Sequence, residues 1–182
     1  MTLRTSFMAS SLFNKLSLIF SLIAMLTAWI SFVMPAWGFT GDPDNSARGY
    51  GLWRLCGQGA TSPGCSDLTG WNLAWYGTVQ AFATLGFLGV NLAFLLIVLQ
   101  IFVDKCKGAN EVAFWNFVQC IVTAVCYLIA IIVFAAEFDS TYRANPLIKQ
   151  ELGYSWGLAI VALVVNGIAV TILQFMEGRS AL

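Results

Sequence analysis

Two cysteines, Cys56 and Cys65, lie close together in a polar, glycine-rich stretch between two long apolar segments. Thiols at this spacing in a turn-rich segment can oxidise to a disulfide if the segment faces an oxidising compartment. Closing so short a loop would stabilise the fold by roughly 2–3 kcal/mol, because it restricts the unfolded chain. Two free thiols are the alternative. A zinc site is disfavoured, because the stretch has no histidine or further cysteine to complete four ligands.

Residues suited to catalysis are missing elsewhere in the sequence. The chain contains no histidine, the side chain that most often acts as a general base or a metal ligand near neutral pH. Its long apolar segments contain no acids or bases, which also disfavours pumps, transporters and voltage sensors. A formal net charge of +0 argues against a nucleic-acid partner. We therefore predict that the protein is not an enzyme and has no catalytic residues, metal site or cofactor.

The composition predicts that most of the chain lies in a membrane. The sequence is 59% hydrophobic and 10% charged, whereas soluble domains carry roughly 25% charged residues. Four uncharged stretches are long enough to cross a hydrocarbon core of about 30 Å as helices. We predict a single membrane domain over 1–182, with spans at 16–36, 77–103, 112–136 and 152–176, loops at 37–76, 104–111 and 137–151, and a tail at 177–182.

The distribution of basic residues predicts the orientation. The termini and the loop at 104–111 carry five basic and three acidic residues, whereas the other two loops carry four basic and six acidic residues. Because basic residues favour the cytoplasmic side, both termini are predicted to be cytoplasmic. The prediction is a multi-pass plasma-membrane protein with the loops at 37–76 and 137–151 outside the cell.

Polar residues inside the spans predict contacts between helices. Asn91, Asn116 and Asn166 could join helices by hydrogen bonds worth about 0.6–2 kcal/mol each. The small pair Ala24 and Ala28, spaced four residues apart, lets neighbouring backbones approach closely. These features are typical of packing within one bundle.

Three short loop and tail sequences support further predictions. Residues 49–55 alternate as a short strand would. Cys106 lies at the predicted cytoplasmic membrane edge, where palmitoylation and a plain structural role are equally good interpretations. Ser180-Ala181-Leu182 fits a class I PDZ ligand, which binds by β-augmentation, although so short a match also arises by chance.

The cysteine pair belongs to a longer pattern that resembles a known superfamily. In the first loop of a four-span protein, Trp37, Gly51-Leu52-Trp53, Cys56 and Cys65 resemble the first-loop pattern of the claudin and PMP22/EMP/lens MP20 superfamily. Asn145-Pro146 and the run into the last span resemble the second outer loop of claudins.

This resemblance implies an all-α membrane protein, in which a left-handed bundle of four transmembrane helices carries a small extracellular antiparallel β-sheet. The sheet would form from the first loop with part of the second. Trp53 would seat it on the bundle, and a disulfide between Cys56 and Cys65 would join two of its strands. The first loop is shorter than in typical claudins, which speaks against a paracellular pore or barrier.

Two functions remain open at this point. The first is cell–cell contact or junction organisation through the extracellular loops, by self-association or by association with related four-span proteins in cis or trans, with a PDZ scaffold in the cytoplasm. The second is an auxiliary subunit or organiser that packs against an ion channel or receptor. Both require the lipid bilayer, and we prefer the first.

Overall fold

In a computed structural model of the chain, four long helical segments lie side by side beneath a small β-sheet. The structure describes residues 3–41, 48–57, 64–70, 73–103, 105–106, 109–142 and 149–180. All four segments are long and apolar enough to cross a membrane, which confirms the predicted four-span membrane fold. The helices are α1 (Leu3–Ala9), α2 (Leu12–Val33), α3 (Ala74–Phe102), α4 (Asn110–Tyr142), α5 (Tyr154–Val164), a π-helix (Val165–Val170) and α6 (Thr171–Ser180), the last three forming the fourth span.

The helix ends differ from the predicted span limits for local reasons. α2 begins at Leu12, where the Ser11 hydroxyl accepts a hydrogen bond from the Asn14 amide at 3.1 Å and caps the helix. It ends at Val33, because Met34 precedes Pro35 and therefore takes an extended backbone conformation. α4 continues to Tyr142 and α6 to Ser180. Parts of the predicted loop at 137–151 and of the predicted tail at 177–182 are therefore helical.

Small and polar residues form the inner face of α2. In lipid, burying a large apolar side chain gains little, so helices pack most tightly where small residues let backbones approach. α3 has an equivalent close approach, where a Cβ added to Gly86 would lie 2.7 Å from the Tyr127 ring on α4. The buried residues of α2 are spaced three or four apart, which places them on one face, and they include the predicted alanine pair: Asn14, Ser17, Ser21, Ala24, Ala28 and Ser31.

The hydrogen bonds between helices that were predicted for Asn91, Asn116 and Asn166 are present only in part. Trp29 Nε1 donates to Asn91 Oδ1 at 3.0 Å, which joins α2 to α3. Among the described residues, the amide nitrogens of Asn116 and Asn166 have no hydrogen-bond partner. Instead, the Cys120 sulfur lies 3.8 Å from the Oδ1 atom of each. The Cys120 thiol therefore takes the place of an amide–amide bond between the third and fourth spans.

The sheet combines strands from both of the predicted outer loops. Its neighbouring strands are all antiparallel, in the order β4-β3-β2-β1-β5. The prediction of one strand over 49–55 is wrong, because Tyr50 pairs with Leu55 across a turn and the segment forms a hairpin. The strands are β1 (Gly38–Gly41), β2 (Arg48–Tyr50), β3 (Arg54–Gly57), β4 (Gly64–Asp67) and β5 (Lys149–Leu152). We call the end of the bundle that carries them the sheet end, and the opposite end the far end.

Candidate functional site

The two first-loop cysteines form a disulfide at one edge of the sheet. Cys56 on β3 pairs directly with Cys65 on the edge strand β4, and their Cα atoms lie 4.1 Å apart. The sulfur atoms are bonded at 2.03 Å, so the predicted disulfide is confirmed. Every residue of β4 is exposed. The disulfide therefore supplies a covalent tie for a strand that buries none of its side chains.

The turn between β2 and β3 is bound to the sheet end of α3. Gln80 Nε2 donates to the Leu52 carbonyl at 2.7 Å and to the Leu68 carbonyl at 2.9 Å. The Tyr76 hydroxyl donates to the Gly51 carbonyl. The Leu52 side chain is buried beneath the turn. Two side chains of α3 thus hold both the hairpin and the chain that leaves β4.

The glycine of this turn is required by a close approach of two backbones. A Cβ added to Gly51 would lie 2.5 Å from the Cα atom of Pro35 and 3.0 Å from the Met34 carbonyl oxygen. Real side chains do not tolerate such contacts with backbone atoms, so a larger residue would lift the turn from the end of α2. The Gly51-Leu52-Trp53 sequence is therefore a docking turn.

Trp37 is the aromatic residue that seats the sheet on the bundle. Its side chain is 0% exposed, and its Nε1 donates to the Ser31 carbonyl at 2.8 Å. Its ring meets the Phe134 ring edge-on, with centroids 5.2 Å apart. Its backbone bonds to Tyr50 on one side and to Gly153 on the other, at 2.7 and 2.8 Å. A single residue thus connects the sheet with the first, third and fourth spans.

Trp53 does not hold the position that the resemblance implies. Its side chain is 41% exposed and meets Phe32 with ring centroids 5.7 Å apart. Only its carbonyl, which accepts a hydrogen bond from the Leu68 amide at 2.8 Å, tightens the turn. The seat predicted for Trp53 is occupied by Trp37 and Leu52, because the turn points Leu52 into the bundle and Trp53 along its outer side.

Replacing Gln80 by leucine is expected to destabilise the protein by roughly 1–3 kcal/mol, because two carbonyl groups would lose their donor. Thermal melting of the detergent-purified protein would measure this loss. Gln119→Leu is the matched control, since within the described part of the chain Gln119 Nε2 donates to Thr123, one turn along the same helix, at 3.3 Å. Equal melting temperatures for the two variants would contradict the assigned role of Gln80.

The outward surface of the sheet carries mixed charges and apolar groups. Arg54 on β3 and Asp67 on β4 are directly opposed in the strand register, and both are exposed. β4 and β5 are the two edge strands, where backbone groups can pair with another chain. Among the described residues, no group of three or more His, Cys, Asp and Glu side chains could hold a metal. Such a surface can recognise another protein.

The remaining predicted site residues lie apart from the sheet or outside the described residues. Asn145, Pro146, Ala181 and Leu182 belong to segments that the structure does not describe, and Ser180 is the last residue of α6. Cys106 lies between α3 and α4 at the far end, half-buried, with its amide donating to the Val103 carbonyl at 2.9 Å. Cys106 therefore lies at the opposite end of the bundle from the disulfide.

Sequence reasoning missed the anchoring roles of Tyr76 and Gln80. One signal could have indicated the second: an amide just inside an apolar span needs a partner that lipid cannot supply. At the outer end of a span, that partner is most readily a loop carbonyl.

The sequence model of the PMP-22/EMP/MP20/Claudin family matches residues 7–173. The chain belongs to this family. The matched segment includes the complete sheet, the disulfide and most of each span. No curated protein shows significant similarity to the chain. Membership of the PMP-22/EMP/MP20/Claudin family and the four spans together establish a multi-pass membrane protein with a small disulfide-linked sheet at one end of its bundle.

Proposed function

We propose that this family member acts in cell–cell contact or junction organisation at the plasma membrane, without catalysing a reaction. The observation that carries the proposal is that one face of the sheet is buried against the bundle and the other is exposed. Trp37, Tyr50 and Leu52, in and beside its strands, are buried, whereas Arg54 and Glu151, which the strand register places on the opposite face from Tyr50, are exposed. A sheet whose inner face packs on the bundle and whose outer face is exposed is suited to binding another protein.

The disulfide and the basic residues support one orientation in the membrane. Disulfides persist in oxidising compartments, which favours an extracellular position for Cys56 and Cys65 and hence for the sheet end. The excess of basic residues on the other side agrees with this. Both termini and Cys106 are then cytoplasmic.

The proposed partners are further copies of this chain or related four-span proteins, in cis or in trans. The exposed edge strand β4 offers backbone hydrogen bonds, and the opposed charges of Arg54 and Asp67 can fix the register in which another strand pairs with it. The second-loop residues Asn145 and Pro146 are proposed to contribute to the same surface.

Expression in cells that lack junctions tests this function. The tagged protein is expected to concentrate at contacts between two expressing cells, as seen by microscopy, but not where an expressing cell meets a non-expressing one. A matched control is the double charge reversal Arg54→Asp/Asp67→Arg, which keeps an opposed pair but exchanges the positions of its positive and negative charges on the surface. Uniform surface distribution of the unmodified protein would contradict the proposal.

An auxiliary role beside an ion channel or receptor is the second candidate, and one surface favours it. Trp29, 48% exposed, and Trp53 flank Phe32 and Phe87 along the α2–α3 face. Exposed aromatic rings of this kind are enriched at protein interfaces. Co-purification of one channel or receptor in fixed ratio, lost in Trp29→Ala, would favour this function over contact formation.

Two cytoplasmic attachments complete the proposal. Palmitoylation of Cys106 would tether the turn between α3 and α4, and a thioester-exchange assay that loses its signal in Cys106→Ser would detect it.

Ser180-Ala181-Leu182 would bind a PDZ scaffold, and binding of a C-terminal peptide that is lost when Leu182 is replaced by alanine would establish that contact.

A further inference from the structure

A groove of about 280 Å³ opens between α4 and α6 at the far end of the bundle. Three phenylalanine rings form most of its wall, and those of Phe117 and Phe175 lie 5.5 Å apart. The space would admit part of an apolar chain. The lining residues are Asn110, Phe114, Phe117, Gln174, Phe175, Gly178 and Arg179.

The rim of the groove faces the lipid. Phe114 is 57% exposed and Phe175 is 45% exposed, and both belong to candidate membrane spans. At this depth, exposed apolar side chains meet acyl chains rather than water. Material that enters the groove from the side therefore comes from the bilayer.

Two polar features make this groove different from an ordinary lipid-facing surface. The Arg179 guanidinium lies over the Phe175 ring, 5.4 Å from its centroid, at the mouth of the groove. Gln174 lines the groove with a 0% exposed side chain, and its Oε1 accepts no hydrogen bond from the described residues. Its Nε2 donates to Ser17 at 3.0 Å, so the amide is fixed with its acceptor unused.

The charge at the groove mouth favours an anion. α4 begins at Asn110, and the amide groups at a helix N-terminus attract negative charge. Two acids lie near this end, Glu111 in the first turn of α4 and Glu177 on α6, and neither lines the groove. Glu177 accepts hydrogen bonds from Ser11 at 2.5 Å and Asn14 at 2.9 Å. Arg179 therefore provides the charge of the groove.

We propose that this groove binds an anionic glycerophospholipid, which comes from the inner leaflet in the orientation proposed above. An acyl chain would lie against the phenylalanine rings, and the phosphate would pair with the planar guanidinium of Arg179. This inference concerns the far end of the bundle and goes beyond the proposed contact function.

The test uses the purified full-length protein in nanodiscs that contain equal amounts of phosphatidylserine and phosphatidylcholine. Phosphatidylserine carries a net negative charge, whereas phosphatidylcholine carries none. Native mass spectrometry would count the lipids that remain bound. We expect one phosphatidylserine per chain in clear preference to phosphatidylcholine.

Two variants and one control locate the lipid. Gly178→Leu would fill the groove, and it is sterically permitted because a Cβ there meets only Ala113, at 3.9 Å. Arg179→Gln would remove the phosphate partner from an exposed position. Each should reduce phosphatidylserine retention at least about tenfold, whereas Arg4→Gln, which removes an exposed charge elsewhere, should not.

Equal retention of the two lipids by the unmodified protein would overturn the proposal. Undiminished phosphatidylserine retention in Arg179→Gln would overturn it as well, because this exposed substitution leaves the packing intact. The localisation experiment of the proposed function does not depend on either result.

Discussion

Replacing Trp37 by alanine is expected to destabilise the protein by about 3–5 kcal/mol and to prevent most of it from reaching the cell surface. The substitution removes a fully buried ring, its contact with Phe134 and the hydrogen bond to the Ser31 carbonyl. The resulting cavity would lie where the sheet meets three of the spans. Thermal melting of the purified protein and surface biotinylation in cells would measure the two effects.

Trp53→Ala is the matched control, because it removes the same side chain from a position 41% exposed. Its edge-on contact with Phe32 is worth about 0.5–1.5 kcal/mol, and the backbone bond from Leu68 to its carbonyl remains. We expect a small loss of stability and near-normal delivery. If Trp53→Ala were the more damaging variant, the assignment of the seat to Trp37 would be wrong.

Removing the disulfide by Cys56→Ser/Cys65→Ser is expected to destabilise the sheet by roughly 2–3 kcal/mol, because the unfolded first loop regains conformational freedom. β4 would be the first strand to detach, since all of its residues are exposed. Protease cleavage near β4 would report this detachment, and thermal melting would report the loss of overall stability.

The control for the disulfide variant is Cys126→Ser, which replaces a free cysteine within α4. It should leave both protease resistance and melting temperature near those of the unmodified protein. Mass spectrometry under non-reducing conditions should also recover a Cys56–Cys65 linked peptide. Unchanged cleavage near β4 in the double variant would show that the disulfide is dispensable for the edge of the sheet.

The spans and the disulfide could be predicted from the sequence because each depends on a local property. Span length follows from the thickness of the hydrocarbon core, and the spacing of Cys56 and Cys65 in a turn-rich loop favours their oxidation. The helix extension to Tyr142 was not predictable in this way. Residues 137–142 include Glu137 and Asp139, whose charge ends the membrane signal without ending the helix.

The arrangement of the sheet depends on contacts between residues far apart in the sequence. β1 pairs with β5 across more than a hundred residues, Gly38 with Leu152 and Phe39 with Glu151. Local alternation at 49–55 could not distinguish one strand from a hairpin, since the turn is fixed by Gln80 and by the approach of Gly51 to Pro35. Likewise, nothing local distinguishes Trp37, which is buried, from Trp53, which is not.

The pairing of β1 with β5 has a consequence for the order of synthesis. β2 follows β1 closely in the chain, but β5 emerges only after the third span has been made. Until then, one edge of β1 remains without its partner strand. A chain interrupted after α4 would thus display an open strand edge at its sheet end, available to a chaperone or to another chain. The start of the fourth span takes part in the same contacts, because Gly153 and Ser155 bond to the backbone of residues 36–37 at 2.8 and 2.9 Å.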